Sequence, residues 1–200
     1  MKKATLFFFT IFLSCSVYAQ SLVADNSGSG TDYSAAESRK AFKEYSALLA
    51  ANPKDAITYS KRAEVNLELK KYREAIADYD LAIKYNPADV DSYYNRGLTK
   101  IVTGDFTGAL ADMSKVIKIK PQNTDAYFNR ALAQLNMYHS QAAIQDFTTV
   151  LKLDENYMEA YYYRGLMKHE IKDNKGACHD WQKAAAFDKR AGNMLKKHCK

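Results

Sequence analysis

The sequence predicts an all-α fold, a solenoid of antiparallel helix pairs, and three observations carry that prediction. First, prolines stand at Pro53, Pro87 and Pro121, 34 residues apart and 34 again. Second, six columns keep the same step through four copies. Tyr59, Tyr93, Tyr127 and Tyr161 form one, and Arg62, Arg96, Arg130 and Arg164 another. A small residue follows each arginine: Ala63, Gly97, Ala131 and Gly165. Later come Ala75, Ala109, Ala143 and Ala177, then Asp78, Asp112, Asp146 and Asp180, each aspartate followed by a large apolar side chain, Tyr79, Met113, Phe147 or Trp181. Third, three prolines and eight glycines among 200 residues leave a chain rich in helix formers. A period of this length marks units that cannot bury their apolar stripes alone and must stack on their neighbours.

The chain opens on a segment outside that pattern. Lys2 and Lys3 precede an uncharged apolar run over 4–17, and Val17-Tyr18-Ala19 before Gln20 is a small-residue cleavage pattern, so residues 1–19 are expected to be a signal peptide. The run falls short of the roughly 20 residues of a membrane-spanning helix, and no later segment approaches it. The mature chain is therefore expected to be periplasmic or secreted, without a transmembrane span. Phe12-Leu13-Ser14-Cys15 offers an alternative: it resembles a lipobox, which would acylate Cys15 and give an outer-membrane lipoprotein. Residues 20–33, polar with Ser-Gly-Ser-Gly at their centre, read as a flexible leader.

From there each element follows in order. Ser34-Ala35-Ala36-Glu37 is a capping box opening a helix over 34–51, with Ala41 and Tyr45 in the columns of a second helix, so it reads as half a repeat. Full units are expected over 56–89, 90–123, 124–157 and 158–189. In the second of these, Val90–Val102 and Thr107–Lys118 are the two helices, turned by Gly104-Asp105. Asp55, Asp89 and Asn123 stand where helix N-caps belong. The small residue of the first helix and the alanine of the second permit close approach, and the large apolar residue fills the space between them. Residues 190–200 are expected to cap the last unit, completing a domain over 34–200.

The pattern Tyr93…Gly97…Ala109…Met113…Pro121 resembles the tetratricopeptide-repeat family, and the resemblance runs from Ala56 to about Lys189. It implies a right-handed α-solenoid of about four units between the two cap helices. It also implies a non-catalytic scaffold that needs no cofactor and binds a protein or peptide partner in its concave groove. The chain departs from the family where Asn66, Lys100, Gln134 and Lys168 replace a second first-helix aromatic, and where Glu155 and Lys189 replace prolines. Carried over by position, the groove would be lined by Ser60, Tyr94, Phe128 and Tyr162, then Glu64, Leu98, Leu132 and Leu166, then Ile101, Leu135 and His169. This row of aromatics and leucines has two readings: packing against the next unit, or an apolar groove in which rigid aromatics anchor a peptide. The lysines and asparagines of the family's carboxylate clamps are missing from these places, so recognition of an acidic C-terminus is not expected.

Arg62 and Asp78 are 16 residues apart, as are Arg96 and Asp112, Arg130 and Asp146, and Arg164 and Asp180. Charges used once per unit read as an ion-pair ladder between helices, with pairing inside or between units left open. Beyond the leader, Cys178 and Cys199 form an even pair, favouring a disulfide in an oxidising compartment. Free thiols are the rival, and so is a metal held by Cys178-His179 and His198-Cys199, although adjacent ligands on a helix point apart. The formal charge of +6 falls once Lys2 and Lys3 go, leaving 27 basic against 23 acidic residues mixed along the chain, which is no nucleic-acid footprint. No phosphate-binding glycine loop, Gly-x-Ser-x-Gly elbow or His-Glu-x-x-His motif occurs.

Overall fold

The computed structural model describes residues 35–199; the expected signal peptide 1–19 with Cys15, the leader 20–33 and the capping-box Ser34 lie outside them. Among the described residues the chain forms ten α-helices and no strand. They are α1 Ala35–Ala51, α2 Ala56–Glu68, α3 Tyr72–Tyr85, α4 Val90–Thr103, α5 Phe106–Ile119, α6 Thr124–Asn136, α7 Ser140–Leu153, α8 Met158–Glu170, α9 Asn174–Ala184 and α10 Lys189–His198.

Short polar side chains start these helices by accepting amide protons that the first turn leaves over. Asp55 accepts from Ile57 and Thr58, Asp89 from Ser92, and Asn123 from Ala126. Asp105, Asp173 and Asp188 do the same for Gly108, Gly176 and Arg190. Each first helix of a pair ends by one device. Lys70, Gly104, Tyr138 and Lys172, again 34 residues apart, all take positive φ, at 57°, 84°, 61° and 67°. That backbone lets the next amide reach back five residues: Lys71 donates to the Asn66 carbonyl at 2.7 Å, Asp105 to Lys100 at 2.8 Å, His139 to Gln134 at 2.9 Å and Asp173 to Lys168 at 2.8 Å. These are Schellman closures, and only the second has the glycine that makes the conformation free of cost.

The chain divides into two compact units after Val116. In the first, α1 packs on α2, α2 on α3 and α3 on α4. In the second, α6 packs on α7, α7 on α8, α8 on α9 and α9 on α10. In both, the small-residue and alanine columns are fully buried, and so are Tyr79, Met113, Phe147 and Trp181. The close approach is tightest in the last pair, where a Cβ on Gly165 would stand 2.5 Å from Trp181 Nε1. The second unit has the more aromatic core. Phe128 meets Phe147 at 5.5 Å, Tyr157 at 4.8 Å and Tyr163 at 5.9 Å between ring centroids.

Candidate partner-binding surface

The recurring charges determine what is left for a partner. Every arginine meets the aspartate of its own helix pair through two parallel bonds. Arg62 Nη2 lies 2.6 Å from Asp78 Oδ1 and Nε 2.9 Å from Oδ2. Arg96 holds Asp112 in the same way, with Nη2 at 2.5 Å, and the Arg130–Asp146 and Arg164–Asp180 pairs both stand at 2.7 Å. Each aspartate is buried and each arginine half-buried. In Arg62, Arg96 and Arg164, the other guanidinium nitrogen reaches a residue sixteen places earlier, on the preceding second helix: Ser46 at 3.3 Å, Asp80 at 2.5 Å and Thr148 at 3.2 Å. One arginine thus fixes three helices. It also lies over the ring of the tyrosine three residues before it, 5.5–5.6 Å from the centroid in all four copies.

The column that departs from the family pattern feeds the same aspartates. Asn66 donates to Asp78 at 3.0 Å, Lys100 to Asp112 at 2.9 Å and Lys168 to Asp180 at 2.8 Å. Gln134 is buried at the equivalent place. The signal was present in the sequence, since each of these residues follows its arginine by one helical turn and therefore shares its face. A second aromatic at that position would leave the buried carboxylate with fewer donors.

The eleven groove positions separate by burial. Leu98, Ile101, Phe128, Leu132, Leu135 and Leu166 lie in the core, none more than 2 % exposed. They are packing residues in this fold, which corrects the groove reading at those six positions. Phe128 shows why: stacking on the next helix pair encloses it between Tyr157 and Tyr163. Tyr94, Tyr162 and His169 remain half-buried. In the second unit, α10 covers two of these, with the Arg190 guanidinium 4.4 Å from the Tyr162 ring and His198 4.5 Å from His169. In the first unit, Ser60 and Glu64 are half-buried as well. Burial raises the Glu64 carboxyl above the usual carboxylate range; Lys61 opposes that shift, while Glu68, Asp89 and Asp91 add to it. The accessible part of the first unit's first helices therefore combines an aromatic, Tyr94, with acidic side chains.

At the far end of the second unit, Cys178 and Cys199 are joined, with their Cα atoms 5.7 Å apart. His179 is exposed, and among the described residues no three His, Cys, Asp or Glu side chains gather as a metal site. Nor is any described helix long and apolar enough to cross a membrane.

Comparison with known proteins adds to this geometry. A TPR-repeat family model matches residues 67–100, and a tetratricopeptide-repeat model matches residues 90–123 and 124–157. Among curated proteins none matches. Solved structures do: a MamA protein at TM-score 0.72 and 16% identity covers 96% of this chain and 96% of its own. MamA from Desulfovibrio magneticus RS-1 aligns at TM-score 0.71 and 18% identity over 76% of this chain and 86% of its own. The first repeat domain of Spaghetti (RPAP3), bound to an HSP90 peptide, aligns at TM-score 0.56 and 22% identity over 58% of this chain and 93% of its own. At these identities the likeness establishes the fold, an α-solenoid of helix pairs.

Proposed function

We propose, for a chain that belongs to the tetratricopeptide-repeat family, that it is an exported scaffold holding a segment of a protein partner against its first helices and performing no chemistry. One observation carries the reading: the charges that recur are consumed inside the fold. One arginine faces one aspartate across each of the four helix pairs, and Asp78, Asp112 and Asp180 also take a donor one turn further on. Recognition is thereby left to positions that differ between copies, among them the half-buried Tyr94 and Glu64. The Spaghetti domain seen with a bound peptide is a precedent for a segment held by this fold. Lys2, Lys3, the apolar run after them and Ala19 support export.

The test is crosslinking and recovery of partners from an envelope extract with the wild-type chain and Tyr94→Ala. Several-fold lower recovery by the variant is expected; equal recovery removes this surface as the binding site. Phe128→Ala belongs elsewhere, because truncating a fully buried ring should cost stability, about 3–5 kcal/mol, whatever it does to binding. A second reading rests on Phe12-Leu13-Ser14-Cys15: a lipoprotein acylated at Cys15 and acting in envelope assembly. Cys15→Ser should then move the protein from the membrane fraction to the soluble one. Unchanged fractionation discards the anchor.

A further inference from the structure

The last helix is held down in a way that none of the others is. α10 reads Lys189-Arg190-Ala191-Gly192-Asn193-Met194-Leu195-Lys196-Lys197-His198, ten residues with one fully buried side chain, Ala191. A helix this short is marginal alone, and so little apolar burial gives it a weak hold on the surface beneath. What fastens it is specific. Arg190, clamped by Asp188 at 2.7 Å, lies over Tyr162 at one end. At the other end the Cys178–Cys199 bond ties the chain just past α10 to α9. Beside that bond lies a cluster of tilted rings: His198 is 4.5 Å from His169 and 5.9 Å from Trp181, and His169 is 5.7 Å from the same indole.

His198 is poorly placed to carry a charge. Its Nε2 is buried without a hydrogen-bond partner, so a proton added there meets no acceptor. The ionisable groups facing it are His169 on α8, Lys175 and His179 lining the same cavity of about 460 Å³ on α9, and Lys197 on its own helix. None of them is an acid. The carboxylate of Asp180, next to Trp181 in the sequence, is already taken by Arg164 and Lys168. Burial, then His169, then Lys197 accordingly hold the His198 imidazole below its ordinary range. α10 itself brings four cations and no acid, so protonating His198 adds a charge of the same sign.

We propose that α10 is a latch with two fastenings, which stays docked while Cys178 and Cys199 are joined and is released by acid only after a dithiol has reduced that bond. The dithiol supplies two electrons and two protons. The sulfur–sulfur bond breaks, Cys178 and Cys199 each end as a thiol, and the dithiol ends as a disulfide. With the sulfur tether gone, protonation of His198 places a charge beside His169 and Lys197 at a nitrogen, Nε2, that has no acceptor among the described residues. Release uncovers Tyr162, His169 and Trp181, an aromatic face that α10 otherwise keeps from solvent.

Trp181 is the chain's one tryptophan and is fully buried, so its emission reports this event directly. The experiment follows emission maximum and acrylamide quenching of the full chain from about pH 8 to about pH 5, across the histidine range. The chains compared are the oxidised protein, the dithiol-reduced protein, Cys199→Ser, and Cys199→Ser with His198→Phe. The oxidised chain should change little. The reduced chain and Cys199→Ser should shift to the red and become several-fold more quenchable on acidification. Adding His198→Phe should abolish that change while keeping the ring contact. Four results would overturn the proposal: acid release of the oxidised chain, release of Cys199→Ser already at the alkaline end, an unaltered titration after His198→Phe, or loss of most helical circular dichroism on reduction. The last would mean that the pairs beneath, and not a latch, had come apart.

Discussion

The second and fourth helix pairs are built on one template and solve it differently. In the second, α4 and α5 approach at Gly97, where an added Cβ would meet the flexible end of Met113 at 2.8 Å. In the fourth, α8 and α9 approach at Gly165, where the obstacle is the indole of Trp181, whose Nε1 donates to the Tyr162 carbonyl at 3.3 Å. The first helix of the second pair closes on Gly104, that of the fourth on Lys172 in the same left-handed backbone. Asp112 belongs to a network with Arg96, Lys100 and, through Arg96, the exposed Asp80, two cations against two anions. Asp180 faces Arg164 and Lys168 alone. The recurring residues thus set the path of the chain, while the residues between them decide which pair is tolerant and which is tightly constrained.

The largest effect should come from the aspartates. Asp180→Ala would leave Arg164 and Lys168 without their anion in a buried setting, at a cost on the order of 3–5 kcal/mol. Arg130→Ala should cost a similar amount by stranding Asp146. Asp80→Ala, an exposed end of the second pair's network, should cost about 1 kcal/mol or less. Chemical denaturation of the three variants ranks them, and equal losses at Asp180 and Asp80 would end the distinction between buried and rim charges. Next in size is the glycine contrast. Gly165→Ala must move an enclosed indole, costing about 1–3 kcal/mol. Gly97→Ala must shift the Met113 methyl and ease Asp112 Cβ from 3.2 Å while gaining helix propensity, so it should fall within about 1 kcal/mol of neutral. Matching losses in thermal melts would show that Met113 is as fixed as Trp181.

Much of this was legible in the sequence, and the limits have physical causes. Because the 34-residue step is imposed by stacking, Tyr, Arg, Ala and Asp could be placed from their spacing alone. The all-helical fold followed. Spacing does not say which face of a first helix turns to the groove and which to the next pair, since both faces carry apolar residues at helical periods. Phe128 and Leu132 were therefore open to either reading, and the structure encloses them. The left-handed closures at Lys70, Tyr138 and Lys172 left no local mark, because a fold held by packing can impose an unfavourable backbone on an ordinary residue. The contacts of Asn66, Lys100 and Lys168 with the aspartates were hidden by the family comparison itself, which marks them only as missing aromatics.

A smaller, local difference should appear with pH. His198 in the fourth region titrates below its ordinary value of about 6.5, so the folded state there binds protons less readily than the unfolded chain. The stability it contributes is complete above that value and is lost as pH falls through it. In the dithiol-reduced chain, hydrogen exchange should therefore quicken in α10 on acidification while the second pair keeps its protection. Equal quickening in both would make the effect global and remove His198 as its cause.

The smallest effect is also the most direct exchange between the two pairs. Lys172 holds a left-handed backbone at φ 67°, which costs a side-chain-bearing residue about 1 kcal/mol, whereas Gly104 holds it at 84° freely. Lys172→Gly should therefore stabilise the fourth pair by about 0.5–1 kcal/mol, less what the more flexible unfolded chain takes back. Gly104→Ala should lose a comparable amount in the second. No atom lies within 4 Å of a Cβ added at Gly104, so any loss there is backbone and not collision. Opposite signs of similar size in paired melts would show that the two closures differ only in their residue. A neutral Lys172→Gly would mean that the lysine side chain contributes something at that turn which glycine cannot replace.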